Sequence, residues 1–109
     1  MTVEQLIRDA NLKPIALPSK DREVHGAYVG DLLSWVMGNA NQGNVWITIM
    51  SNINTVAVAT LVDVSCILLA EDVTPDDELI QTAIAKGVNI LSTPLSAFEA
   101  AKKISTVIN

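Results

Sequence analysis

Cysteine, histidine, aromatic residues and basic runs are all scarce in this 109-residue chain, and each scarcity removes a class of function. The one cysteine, Cys66, cannot form a disulfide within the chain, nor hold an iron–sulfur cluster on the usual four-cysteine scheme. With one histidine, His25, a closed zinc site in a single subunit would need carboxylates for most of its ligands, so no metal and no cofactor is expected. The 7 lysines and arginines against 12 acids give a formal charge of -5 and no basic run, which argues against nucleic acid as a partner, since Lys and Arg must face the phosphates. No stretch reaches the ~18 unbroken apolar residues of a membrane span. The opening Met1-Thr2-Val3-Glu4 lacks the regions of a signal peptide, so a cytoplasmic protein without membrane contact is expected. Also missing is any Gly-x-x-x-x-Gly-Lys-Ser/Thr segment, the loop whose amides and lysine cradle nucleotide phosphates.

What is present is aliphatic. Half of the residues are apolar while aromatics make up 4%, so the core must be built from Val, Ile, Leu and Ala, the filling of helix-covered parallel sheets. The length predicts one domain over residues 1–109. A mean hydropathy of +0.36 in so short a chain predicts apolar surface covered by another subunit, and a homodimer is the leading expectation.

The chain is organised around Val45 to Ala59. A β-branched and aromatic run, Val45-Trp46-Ile47-Thr48-Ile49, passes through a small polar cluster, with the loop from Met50 to Asn52 or Asn54, and resumes as an apolar segment with alanines to about Val62. That reads as buried strand, loop and packed helix. Before it, Thr2 and Gln5 make a capping-box pattern for a short helix to Ala10, and Pro14 to Leu17 reads as a short strand. Glu23 to Val29 is an extended segment suited to a sheet edge. Asp31 is placed to cap a helix whose buried face would be Leu32, Leu33, Val36 and Met37. After the centre, Cys66 to Ala70 is a continuous apolar run of strand length, in which Cys66 reads as a core residue. Thr74 as cap and Pro75 at the first helical position start a helix with Leu79, Ile80, Ala83 and Ile84 inward and Gly87 at its end. Val88 to Leu91 is a further strand. Ser96 and Glu99 open a last helix with Leu95, Phe98, Ala101, Ile104 and Ile108 near one face. The alternation predicts an α/β fold, a small and mostly parallel sheet flanked by helices.

In three places the sequence resembles a known family. Gly26-Ala27-Tyr28-Val29-Gly30-Asp31, the strand-to-helix order from Trp46 to Ala59, and Pro75-Asp76 leading on to Ser92-Thr93-Pro94-Leu95-Ser96-Ala97-Phe98-Glu99 are similar to the DRTGG domain over roughly Asp21 to Ile104. That family occurs in some phosphotransacetylases and CBS-domain pyrophosphatases and is related in fold to the N-terminal domain of HPr kinase/phosphorylase. The chain looks closest to its small free-standing members in anaerobic bacteria. The resemblance implies an HPr kinase N-terminal-domain-like fold and a regulatory role, without kinase chemistry, which belongs there to a separate domain. The family's Asp-Arg would fall at Ser51-Asn52 and its Thr-Gly-Gly at Ala70-Glu71-Asp72, and none of those five residues is kept. Glu71 and Asp72 would repel an anion where glycines would have exposed amides.

The chain offers no catalytic constellation, and no enzyme is expected. Asp31, Thr48, Ser51, Asn52, Asn54, Thr93 and Ser96 are the candidate contacts for a small metabolite, because loops at the carboxyl ends of parallel strands are where α/β sheets bind ligands. A nucleotide or anion receptor, or a weak enzyme acting on one, is the alternative reading. Asn52 or Asn54, and Thr93 or Ser96, are equally good as plain helix caps, the commoner role for such residues. His25 reads as a surface or partner-contact residue rather than a general base, with no nucleophile beside it in sequence. Trp46 is expected in the core or at a subunit interface. Trp35 is expected at the edge of a buried face, where it would suit contact with a second subunit or another protein partner.

Overall fold

A computed structural model describes residues 1–108, in which ten elements alternate around one five-stranded sheet. Helix α1 (Val3–Ala10) leads to β1 (Lys13–Ala16), β2 (Ala27–Val29), α2 (Leu33–Asn39), β3 (Val45–Thr48), α3 (Ile53–Val62), β4 (Cys66–Leu69), α4 (Asp77–Lys86), β5 (Ile90–Ser92) and α5 (Ala97–Ile108). The strand order is β1-β5-β4-β3-β2, with β2 to β5 parallel and β1 antiparallel at the edge beside β5. The sheet is mostly parallel, as the alternation predicts.

The four parallel strands lie in sequence order. Each crossover turns right-handed, so three consecutive crossovers in one direction carry their helices to one face. The packing shows this. Val36 of α2, Val56 and Ala59 of α3, and Leu79 and Ala83 of α4 form one core with Trp46, Ile67, Leu69 and Ile90. The opposite face is covered by the terminal helices, where Val3, Leu6 and Ala10 of α1 and Ala100 and Ile104 of α5 meet Val45, Ile47, Cys66, Leu68 and Leu91. Successive strand residues thus feed opposite cores, the period of two that a pleated strand imposes. Every residue of β3 and β4 is buried, which is why both read as unbroken apolar runs. Because the parallel order never reverses, no crevice of the switch-point kind opens between adjacent strands.

The helix ends follow local chemistry where no other element competes. Thr2 and Gln5 form the expected capping box on α1, at 2.9 and 3.2 Å. Asn52 caps α3 and Gly87 ends α4 at a positive φ of 73°. Three expectations are corrected. The cap of α4 is Asp76, whose carboxylate accepts from Leu79 N at 2.9 Å, rather than Thr74, and Pro75 is a buried loop residue before the helix. Leu32 and Met37 of the second helical segment are 62% and 47% exposed, leaving Val36 as its buried residue. Phe98 is 72% exposed and Ile84 47%, so each lies off the buried stripe it was assigned to.

Candidate functional site

Asp31 was expected to cap α2, and does not. The N-cap is Leu32, with no side-chain bond. The Asp31 carboxylate instead crosses to the end of β3, where Oδ1 accepts from Thr48 Oγ1 at 2.8 Å and from Ile49 N at 3.0 Å. Thr48 Oγ1 then accepts from Met50 N at 3.1 Å, so three residues leaving β3 are held by one carboxylate. Bonds to an ionised acceptor are the strong ones, and this short network fixes the carboxyl ends of β2 and β3 against each other. Beneath it, Trp46 is fully buried and its indole N–H donates to Gly30 O at 2.9 Å, which ties the same two strands one residue earlier. Trp46 is therefore a core residue.

Ser51, Asn52 and Asn54 surround the start of α3 beside this network. Asn52 Oδ1 accepts from Asn54 N at 2.9 Å as a plain cap, and both Asn side chains are exposed. One residue deeper, the Thr55 hydroxyl is buried without a hydrogen-bond partner.

Thr93 and Ser96 belong to a different cluster. Thr93 leaves β5 toward α5, on the other side of the sheet from α3, and its Oγ1 accepts from Leu95 N at 3.3 Å. Ser96 Oγ accepts from Glu99 N at 3.2 Å and so caps α5. The candidates thus divide into one group with α3 and one with α5.

The loop after β4 joins those groups, and its left-handed conformation was not foreseen from sequence. Glu71 and Asp72 both adopt positive φ, 61° and 59°, and Val73 N donates to Ala70 O at 3.2 Å across them. Two consecutive left-handed residues are what a type I′ turn requires, and glycine is the residue that adopts them without steric cost. These are the two positions at which the resemblance drawn from the sequence would set the family's paired glycines. The turn's shape is present here without its usual residue. Its amides are committed inside the chain, Glu71 N to Leu95 O at 2.8 Å and Asp72 N to Thr93 O at 2.9 Å. They offer no anion nest. Asp31, Glu71 and Asp72 bring acidic side chains to this end of the sheet, while no lysine or arginine lies between Asp31 and Lys86.

The opposite end of the sheet is stapled by amides. Asn89, 1% exposed, donates to Ser19 O at 2.8 Å and Ser65 O at 2.9 Å and accepts from Ser19 N at 2.9 Å. Asn44 spans Asn41 N and His25 O at 2.9 and 2.7 Å. Arg22 clamps the end of α3 through Asp63 Oδ1 at 2.7 Å and Asp63 O at 3.0 Å. The Arg22 guanidinium holds the Asp63 carboxyl below the usual carboxylate range; burial opposes the shift and the Gln42 amide adds to it. His25 is exposed here, against Gly43, at the far end of the sheet from Asp31. Burial pushes the Cys66 thiol up to about 12, so at neutral pH it is a protonated core residue. Among the described residues no three His, Cys, Asp or Glu side chains gather to hold a metal ion, and no helix is long and apolar enough to cross a membrane.

No curated protein sequence matches the chain. Among solved structures it is similar to the CBS and DRTGG domains of the regulatory region of Clostridium perfringens pyrophosphatase, complexed with the activator diadenosine tetraphosphate. The TM-score is 0.75 and the identity 16%, over 94% of this chain and 45% of that one. At that identity the likeness is one of fold. The sequence model of the DRTGG domain matches residues 20–107, from the loop before β2 through nearly all of α5. With most of its length inside that span, the chain belongs to the DRTGG domain family.

Proposed function

We propose that this chain is a non-catalytic regulatory or interaction module, acting as a homodimer, that responds to a small metabolite or a partner protein at the carboxyl ends of its strands. One observation carries the reading. Most of the polar groups singled out at that end hold backbone: Asp31 and Thr48 the β3 exit, Asn52 the start of α3, Thr93 and Ser96 the start of α5. A nucleophile must have a base within hydrogen-bond reach, and His25 lies at the other end of the sheet. Family membership supports a regulatory role, and the Clostridium perfringens structure named above is itself of a regulatory region.

A second reading, a receptor for a nucleotide or other small polar ligand, draws on the unpartnered Thr55 hydroxyl at the start of α3, next to the exposed Asn52 and Asn54. The three acids at this end weigh against a bare anion.

Thermal unfolding with diadenosine tetraphosphate, other nucleotides and acyl phosphates tests both. A ligand at a hundred times its dissociation constant adds about 2.7 kcal/mol of stability. A shift lost in an Asn52→Ala, Asn54→Ala double variant that still folds establishes the receptor. Turnover of a nucleotide or phosphoester that disappears with Asn54→Ala overturns the non-catalytic reading.

A further inference from the structure

Helix α3 is apolar on two opposite sides. Thr55, Val56, Val58 and Ala59 face the sheet and are buried. Ile53, Ala57 and Leu61 form a second line along the outside, with Ile53 49% and Leu61 72% exposed. Their spacing of i, i+4, i+8 is that of an apolar stripe suited to burial, flanked by the exposed Asn54 and Thr60. The neighbouring α2 extends the surface with Trp35, 63% exposed, and Met37. On the other side of α3, a cleft of about 400 Å³ lined by Ile53, Ala57, Thr60 and Lys86 gives the face a hollow as well as projections.

Charge decides what can cover it. No charged residue lies between Asp31 and Asp63, so α2 and α3 have none, although the chain as a whole carries -5. A basic partner would find no carboxylate on these helices, and an acidic one or an anionic lipid headgroup only Lys86 of α4 at the margin of the cleft. A second copy is different. In a twofold contact a patch meets itself, so an acidic chain pairs without setting carboxylate against carboxylate only through a neutral face. This is that face.

We infer that two copies of this chain pair across α3, antiparallel about a twofold axis near Ala57, with Ile53 of one copy against Leu61 of the other. Ala57, the small residue between them, lets the two helices approach closely. The inference rests on the homodimeric reading above and supplies its interface.

Mass in solution, by light scattering on the full chain, tests it. The expected result is twice the chain mass of 11.7 kDa, falling to one with Leu61→Glu while the far-UV spectrum is unchanged. Ala57→Cys is expected to form an inter-chain disulfide on mild oxidation, because Cys66 is fully buried and cannot supply the second thiol. Phe98→Glu, on α5, leaves the dimer intact. A monomer at the highest soluble concentration overturns the inference, as does a dimer that survives Leu61→Glu without cross-linking at residue 57, or one lost with Phe98→Glu. Ligand-dependent melting plays no part in these outcomes, so a failed metabolite reading and a failed interface are told apart.

Discussion

The two helical layers of this molecule cover the same sheet with opposite finishes. On one face, α1 and α5 turn Val3, Leu6, Ala100 and Ile104 inward and carry Glu4, Arg8, Asp9, Glu99, Lys102 and Lys103, the arrangement of a helix that ends in water. On the other, α2 and α3 pack as well beneath but carry no charge above, and the charges of that layer, Asp77, Glu78 and Lys86, are confined to α4 at its side. Inward packing is equally complete in both, so the difference does not serve folding. It is consistent with the pairing proposed across α3.

The two tryptophans sharpen that comparison most. Trp46 and Trp35 belong to the same side of the sheet, one fully buried and one 63% exposed. Trp46→Ala is expected to cost about 3–5 kcal/mol in chemical denaturation, because it opens a cavity and leaves Gly30 O without its donor. Trp35→Ala in dilute solution is expected to stay within about 0.5 kcal/mol. Equal losses would mean that the outer surface of α2 also packs within the subunit, and the contrast between layers would fail.

A smaller effect, of opposite sign, is expected where the sheet feeds α4. Glu71 stands at a φ of 61°, where an L side chain crowds its own backbone. Glu71→Gly is expected to raise stability by about 0.5–1 kcal/mol, the relief of that crowding less the entropy glycine loses on folding. A lower melting temperature would show that the Glu71 side chain contributes more than its backbone conformation costs.

The smallest expected effect lies at the end of the uncharged α3, where it meets Arg22. Arg22 depresses the Asp63 carboxyl, so the folded state binds that proton less readily than the unfolded chain. The associated stability is present above the ordinary carboxylate pKa of about 4 and is lost as pH falls through the lower folded value. Asp63→Asn is expected to flatten the acid limb of a stability-against-pH curve by slightly lowering the neutral region, where the pair contributes, while stability below the folded pKa is little changed. Added salt weakens the wild-type effect, since the pair is partly exposed.

The parts of the fold that could be read from the sequence are those in which one segment decides its own state. Val45 to Thr48 and Cys66 to Leu69 are covered on both faces and so are apolar at every position but Thr48. The Thr2 and Gln5 box is complete within four residues. What could not be read depended on a second segment. Asp31 is as good a cap as Asp76, yet Ile49 N and Thr48 Oγ1 compete for it, and both arrive from another strand. Leu32 and Met37 carry the hydropathy of core residues, and hydropathy does not distinguish a stripe bound for the core from one bound for an interface. At the candidate site, Asn52 was legible as a cap because its partner is two residues away. The paired left-handed residues at Glu71 and Asp72 were not, because neither residue type announces that conformation, and only the likeness to the family's glycines pointed to the place.

The ends of the sheet limit how this protein can associate at all. β1 begins at Lys13-Pro14, where proline has no amide hydrogen to offer, and its pairing with β5 slips between Pro14 and Ala16. At the far edge β2 is three residues long and set between Gly26 and Gly30. Neither border presents the long, flat row of free backbone groups on which a foreign strand could extend the sheet. A newly made chain is thereby guarded against edge-to-edge growth into fibrils, even though a helical face stays apolar.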